Sequence, residues 1–324
     1  MSTRVVCIGP QILDMLVRPV TAIPEGQGGA LLEEARITAA GTAAGTAVDM
    51  AKLGATVASI GAVGADAAGK FLRTLLEEHG VNASHLVTKT GEQTSMTVLP
   101  IRPNGERPSL HLAGATRQLV ADDIDKDVLR DADFIHLGGP DVLGAFGSDD
   151  APALLREAKA RGAVTTVDLL RSSPTPELLT TLERLWPQVD YFLPNDDQLR
   201  ALTGIEDLER AAARVQEFGV DTVIATMGGE GSLIVAPDRA ERIPAFTCAV
   251  VDTTGCGDAY TAGFIVGLAH NWDIGTSARL GTAASALVAQ GLGSDAGIVD
   301  LESTLAFWRS KSQEVGGAPP SRVK

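Results

Sequence analysis

The stretch Asp252-Thr253-Thr254-Gly255-Cys256-Gly257-Asp258 follows a strand-like end at Val250 and Val251 and runs into the helix-forming Ala259 to Phe264. Gly255 and Gly257 let the backbone approach a ligand closely. The first amides of the helix, together with its dipole, favour a phosphate or an anionic transition state there. Gly255, Cys256 and Gly257 therefore read as an anion hole. Asp258 stands beside it in the first helical turn, placed to accept a proton from an attacking hydroxyl while a phosphoryl group leaves a nucleotide. Taken alone, the segment reads equally well as a tight turn with an ordinary carboxylate at a helix start.

The elements that must hold this segment alternate. Short β-branched runs at Arg4 to Ile8, Thr56 to Ile60, Phe134 to Leu137, Val164 to Val167 and Thr222 to Ala225 read as buried strands. Helical spacing recurs at Gly45 to Leu53, Ala67 to His79, Ala151 to Arg161, Glu206 to Phe218, Ala259 to His270 and Thr276 to Gln290. Such alternation predicts a three-layer α/β/α fold with a mostly parallel central sheet. Residues 12–38 and 94–113 break the pattern as strands and turns without helices, with a hairpin loop from Arg102 to Arg107, and predict a small β lid. The expected organisation is one domain over residues 1–310 and a polar, flexible tail over 311–324.

The 324 residues are 44% hydrophobic with 35 glycines and only 4% aromatic, which suits closely packed helices in a globular chain. Lys plus Arg number 27 against 41 Asp plus Glu, a net charge of −14 that repels nucleic acid and anionic membranes as partners. No apolar run approaches the ~18 residues of a membrane span, and Cys7, Cys248 and Cys256 match neither a disulfide framework nor a zinc spacing. The expected location is the cytoplasm.

Asp252 to Asp258 resembles the second signature of the ribokinase-like (PfkB) family of carbohydrate kinases, and further matches fall in the family's order from about residue 4 to residue 298. The resemblance implies ATP-dependent phosphorylation of a hydroxyl on a small sugar, with Asp258 as general base. It also implies that Asp14 and Gly41 bind substrate, with Gly45 standing where the family usually has a substrate-binding Asn. Asn195, Thr226, Gly228 and Gly231 line the ATP site, and Ala284 lies where a helix closes over adenine. Gln198 occupies the position of a Glu that organises Mg²⁺, often through water, and a neutral amide brings no charge to the ion. Asp252 and Thr254 lie where many members hold K⁺. Many relatives pair through the lid, which implies a homodimer.

Ile12, Gly45 and Gly138 replace polar contacts of the ribose-specific members, and Asp168-Leu169-Leu170-Arg171 only partly matches the Asp-x-Asn-x-Arg pattern of fructose and keto-sugar-acid kinases. A nucleoside is the alternative substrate, and a non-catalytic ligand sensor is the alternative of a different class. A phosphosugar would need a basic pocket, for which Arg36, Arg102, Arg107 and Arg117 are the candidates. Of the five histidines only His111, in the expected lid, is placed where it could meet substrate, and a surface or core place is the commoner reading for it. Gly64 to Phe71 nearly spells a P-loop, but Phe71 stands where a hydroxyl must reach magnesium, and no G-x-G-x-x-G follows the first strand.

Overall fold

The computed structural model describes residues 3–103, 106–314 and 317–320; the middle of the expected 102–107 hairpin loop and the end of the tail lie outside the described residues. From the N-terminus the elements run β1 (Arg4–Ile8), β2 (Ile12–Arg18), β3 (Glu34–Ala40), α1 (Ala44–Lys52), β4 (Thr56–Gly64), α2 (Ala67–Glu78), β5 (Leu86–Lys89), β6 (Ser95–Pro100), β7 (Leu110–Leu112) and α3 (Lys126–Arg130). They continue β8 (Phe134–Leu137), α4 (Ala151–Ala160), β9 (Val164–Val167), α5 (Glu177–Thr181), β10 (Tyr191–Phe192), α6 (Asp196–Thr203), α7 (Leu208–Gln216), β11 (Thr222–Thr226), β12 (Ser232–Ala236), β13 (Arg239–Ile243), α8 (Cys256–Ala269), α9 (Ile274–Val288) and α10 (Leu301–Ser310).

Nine strands form the large sheet in the order β13-β12-β11-β10-β9-β8-β1-β4-β5, parallel except for the antiparallel steps from β11 to β12 and β12 to β13. Side chains alternate across a strand, so β1 feeds two cores: Val6 and Ile8 join one face with Trp186 and Phe192, and Val5 and Cys7 join the other with α1, α8 and α9. The helices α8 and α9 touch at glycines. A Cβ on Gly263 would lie 2.8 Å from Gly281 Cα, so bulk at either position would push α8 away from α9.

Four strands form a second sheet in the order β3-β2-β6-β7. Its register sorts the side chains into rows. Thr38, Asp14, Thr97 and His111 pair across the strands on one face, while Ile37, Met15, Val98 and Leu110 make the neighbouring row on the other. The first row faces the rest of the protein and the second faces outward, with Leu110 61% exposed.

Several elements were not read from the sequence: the helices α3, α5, α6 and α10, the strands β5 and β10, and the β12–β13 hairpin. The tail expected to be loose from residue 311 is tied at its start. Trp308 Nε1 donates to the Gly317 carbonyl at 2.8 Å, and Glu314 accepts from the Thr247 amide at 2.8 Å.

Candidate active site

Asp66, Asn195, Asp207, Asp273 and Asp300 each cap a helix with a side-chain oxygen. The helix α8 has no such cap. Its first residue is preceded by Gly255 in the left-handed region at φ +77, and a Cβ there would clash with Ser294. Gly255, Gly257 and Asp258 have amides without an acceptor among the described residues, so these donors and the positive end of the helix dipole are available to an anion. A Cβ on Gly257 would meet nothing within 4 Å, which marks the open side of the turn.

Two cavities meet at this turn. One, of about 670 Å³, is walled by Asp14, Gly41, Thr97, Arg107, His111, Asn195, Thr254, Gly255 and Asp258 among others. The second, of about 190 Å³, is largely apolar and is walled by Thr226, Gly228, Gly231, Phe246, Thr253, Cys256 and Gly257, together with one face of α9. Residues 253–258 thus present alternate members to the two sides. The loop after β11 is shaped by Gly231 at φ +93, where a Cβ would run into the Ile243 carbonyl. Asn195, expected on the nucleotide side, caps α6 on the wall of the larger cavity and reaches the other only through its bridge to Thr226.

Burial dominates the electrostatics of the larger cavity. The Asp258 carboxyl is pushed up to about 7 by burial and then by the negative charge of Asp14, while the Thr46 hydroxyl and Arg107 pull it down. Asp14 is raised to about 6, again chiefly by burial, against the Thr97 hydroxyl and Arg107. Its Oδ1 is buried without a hydrogen-bond partner, a lone acceptor of the kind a substrate hydroxyl satisfies. Arg107 crosses from the small sheet to the turn, with Nε donating to Thr253 Oγ1 at 3.1 Å and Nη1 to Thr254 Oγ1 at 3.2 Å. The Cys256 thiol is pushed up to about 12 by burial, so it acts as a small residue rather than a reactive one.

Four expectations need correction. Ala284 is fully buried in the core; the helical period puts Thr282, Ser285, Ala286 and Ala289 on the cavity face of α9 and turns Ala284 away. Gly45 is not on the cavity wall, but a Cβ there would lie 2.9 Å from Asp258 Oδ2, so its absent side chain makes room for the carboxylate. Gln198 is turned to the backbone rather than held open for a metal: Oε1 accepts from the Asn195 amide, and Nε2 donates to the Leu169 and Arg171 carbonyls, all at 2.9 Å. Asp252 is engaged in holding the turn, with Oδ1 accepting from the Thr254 amide and hydroxyl and Oδ2 from the Gly293 amide.

Arg107 already places its own positive charge on the Thr254 hydroxyl, which works against a second cation at that side chain. Among the described residues no group of three or more His, Cys, Asp or Glu side chains is arranged to hold a metal. A magnesium ion would have to arrive mainly on the nucleotide's own phosphates. Thr46 and Thr253 were missed from the sequence, because a threonine inside a helix or turn carries no local signal of its partner. Among the described residues no helix is long and apolar enough to cross a membrane.

A family model described as "pfkB family carbohydrate kinase" matches residues 2–300. A ribokinase of Haemophilus influenzae is 26% identical over 277 residues, 84% of this chain and 88% of that one. An uncharacterized sugar kinase of Archaeoglobus fulgidus is 30% identical over 250 residues, 77% of this chain and 97% of that one. The structure of Arabidopsis thaliana ribokinase complexed with ribose and ATP aligns with a TM-score of 0.81 at 24% identity, covering 95% of this chain and 99% of that one, a likeness of fold.

Proposed function

Given that this chain belongs to the pfkB family of carbohydrate kinases and is an ATP-dependent sugar kinase, we propose that Asp258 is its general base and that the turn at Gly255 to Gly257 receives the transferring phosphoryl group. The observation that carries this reading is the position of residues 253–258 on the wall between the two cavities, with Asp258 on one side and Cys256 and Gly257 on the other.

ATP lies along the smaller cavity, its base against Thr282, Ser285, Ala286 and Ala289, and its terminal phosphate reaches the start of α8. The acceptor lies in the larger cavity with one hydroxyl held by Asp14 and the reacting hydroxyl against Asp258. A carboxylate titrating near 7 suits proton abstraction at neutral pH, because about half of it is ionised there and the ionised form is still basic. As the hydroxyl oxygen bonds to the γ-phosphorus and the bond to the ADP oxygen breaks, the proton passes to Asp258. Negative charge spread over the phosphoryl oxygens meets the free amides of the turn and the guanidinium of Arg107. Magnesium, where it binds with the nucleotide, would supply charge neutralisation at its phosphates. The small sheet acts as a lid that brings Arg107 into place, and its outward apolar row supports a homodimer formed through this face.

The test is ADP release from Mg-ATP with a panel of sugars, comparing the parent with Asp258→Asn. Loss of roughly 10²–10⁴-fold is the expected result for removal of a general base. An Asn variant within tenfold of the parent on every substrate refutes the assignment.

A further inference from the structure

The larger cavity does not end at Asp14 and Asp258. It runs on into a further space of about 250 Å³, and the two share Ile12, His111, Val142, Leu170 and Arg171 as walls. The far wall carries Arg117. The cleft is therefore acidic where the reacting hydroxyl sits and basic at its opposite end.

The arginines considered in the sequence separate cleanly. Arg36 is paired with Asp295 at 2.8 Å, and Arg102 with Glu106 at 2.6 Å. Arg107 is engaged with Thr253 and Thr254. The Arg117 guanidinium has no ion pair and no hydrogen bond among the described residues. Arg171 approaches a carboxylate only through Nε, 3.9 Å from Asp141 Oδ2, and that carboxylate already accepts from the amides of Leu170 and Arg171. Its two outer nitrogens face no acceptor. In a chain with 41 acidic and 27 basic side chains, cations easily find partners, so two such arginines on one cavity wall ask for an anion from outside. His111 contributes no charge, since burial lowers its pKa and its Nδ1 is hydrogen-bonded with Thr97.

We infer that the acceptor sugar carries its own anionic group, a carboxylate or a phosphate, held by Arg117 and Arg171 at the end of the cleft away from Asp258. The inference rests on the kinase reading for the orientation of the acceptor. Planar guanidinium forks match both anions bidentately. Gln198 is a positioning residue for this end, because its two donated bonds fix the backbone at Leu169 and Arg171.

Calorimetric binding separates this inference from the kinase reading, because it needs no turnover. Gluconate, fructose 6-phosphate and fructose are titrated into the parent, Asp258→Asn, Arg117→Gln and Arg171→Gln, at low and high salt. The expected result is that one of the two anions binds the parent and Asp258→Asn more tightly than fructose does, with salt-sensitive affinity. Each arginine variant then weakens that anion roughly 10–100-fold, the worth of one charge-assisted contact. Gluconate ahead of fructose 6-phosphate identifies a sugar acid, and the reverse order identifies a phosphosugar. Fructose binding in preference to both anions, or anion affinity unchanged in both arginine variants, overturns the inference while leaving the kinase intact. Arginine-dependent anion binding without ADP release upholds the anion site and sinks the catalytic reading.

Discussion

Replacing Gln198 by Glu restores the residue type usual in the family, yet the geometry predicts damage. The side chain is only 6% exposed, and its Nε2 lies 2.9 Å from both the Leu169 and the Arg171 carbonyl. A carboxylate can keep the bond from the Asn195 amide, but its second oxygen then faces two carbonyl oxygens with no proton to offer. Two hydrogen bonds at about 1 kcal/mol each are lost, and two buried acceptors are left facing a charge, for a total of about 3–5 kcal/mol. For a chain of this length that is a fall in Tm of roughly 4–7 °C. The sign of its pH dependence follows. An unfolded Glu titrates at about 4.3, whereas in this site burial and the facing carbonyls raise the folded value. The deficit against the parent is thus smallest below about pH 4.3 and grows as pH rises through the folded pKa. A protonated acid still donates only one bond of the original two, so recovery at low pH is partial. Urea unfolding of parent and Gln198→Glu at pH 5 and pH 8 reads this directly. A variant within about 0.5 kcal/mol of the parent at both, the range of an inconsequential surface change, refutes the reasoning. So does a gain in turnover at pH 8.

Three further outcomes are expected. Because the base must be ionised, kcat/KM should rise with pH through about 7, the value set at Asp258. Thr46→Val, which removes a hydroxyl that lowers that pKa, should move the rise to higher pH; an unmoved profile speaks against Asp258 as the titrating group. Asp49 is fully buried with both oxygens unpartnered, and burial drives its pKa well up. An acid raised on folding costs stability as pH climbs above its unfolded value of about 3.9. Asp49→Asn should therefore gain stability relative to the parent at pH 8 more than at pH 5, and an equal difference at both in urea unfolding contradicts this. Leu110→Glu should convert a dimer into a monomer by light scattering, with a parent that is already monomeric ruling out pairing through that face.

Five strands of the large sheet, β1, β4, β8, β9 and β11, were legible because they are short, buried and β-branched, so that the run Val5 to Ile8 announces itself without context. The helix at Asp196–Thr203 was not, since its opening Asp196-Asp197-Gln198 has no apolar stripe and only its capping box marks the start. Within the site, the turn at Gly255 to Asp258 was readable because glycines, helix start and carboxylate are contiguous. Ala284 was misplaced because α9 is apolar nearly all round, and composition cannot fix the phase of such a helix. The contacts of Arg107 with Thr253 and Thr254 span 146 and 147 residues. Only the folding of the small sheet over the cleft could reveal them.

The register of that small sheet has a consequence for how the protein can change. Asp14 faces the cleft and Met15 faces outward because they are neighbours on one strand. A one-residue insertion or deletion in β2 would exchange the faces of that strand, turning Asp14 outward and presenting Met15 and its apolar neighbours to the substrate. Length variation in this strand is therefore open only in steps of two residues or by a bulge, whereas the loop from Pro19 to Glu33 between β2 and β3 can lengthen freely. Attempts to retarget the enzyme by reshaping this surface should graft the loop and leave the count of residues between Ile12 and Arg18 untouched.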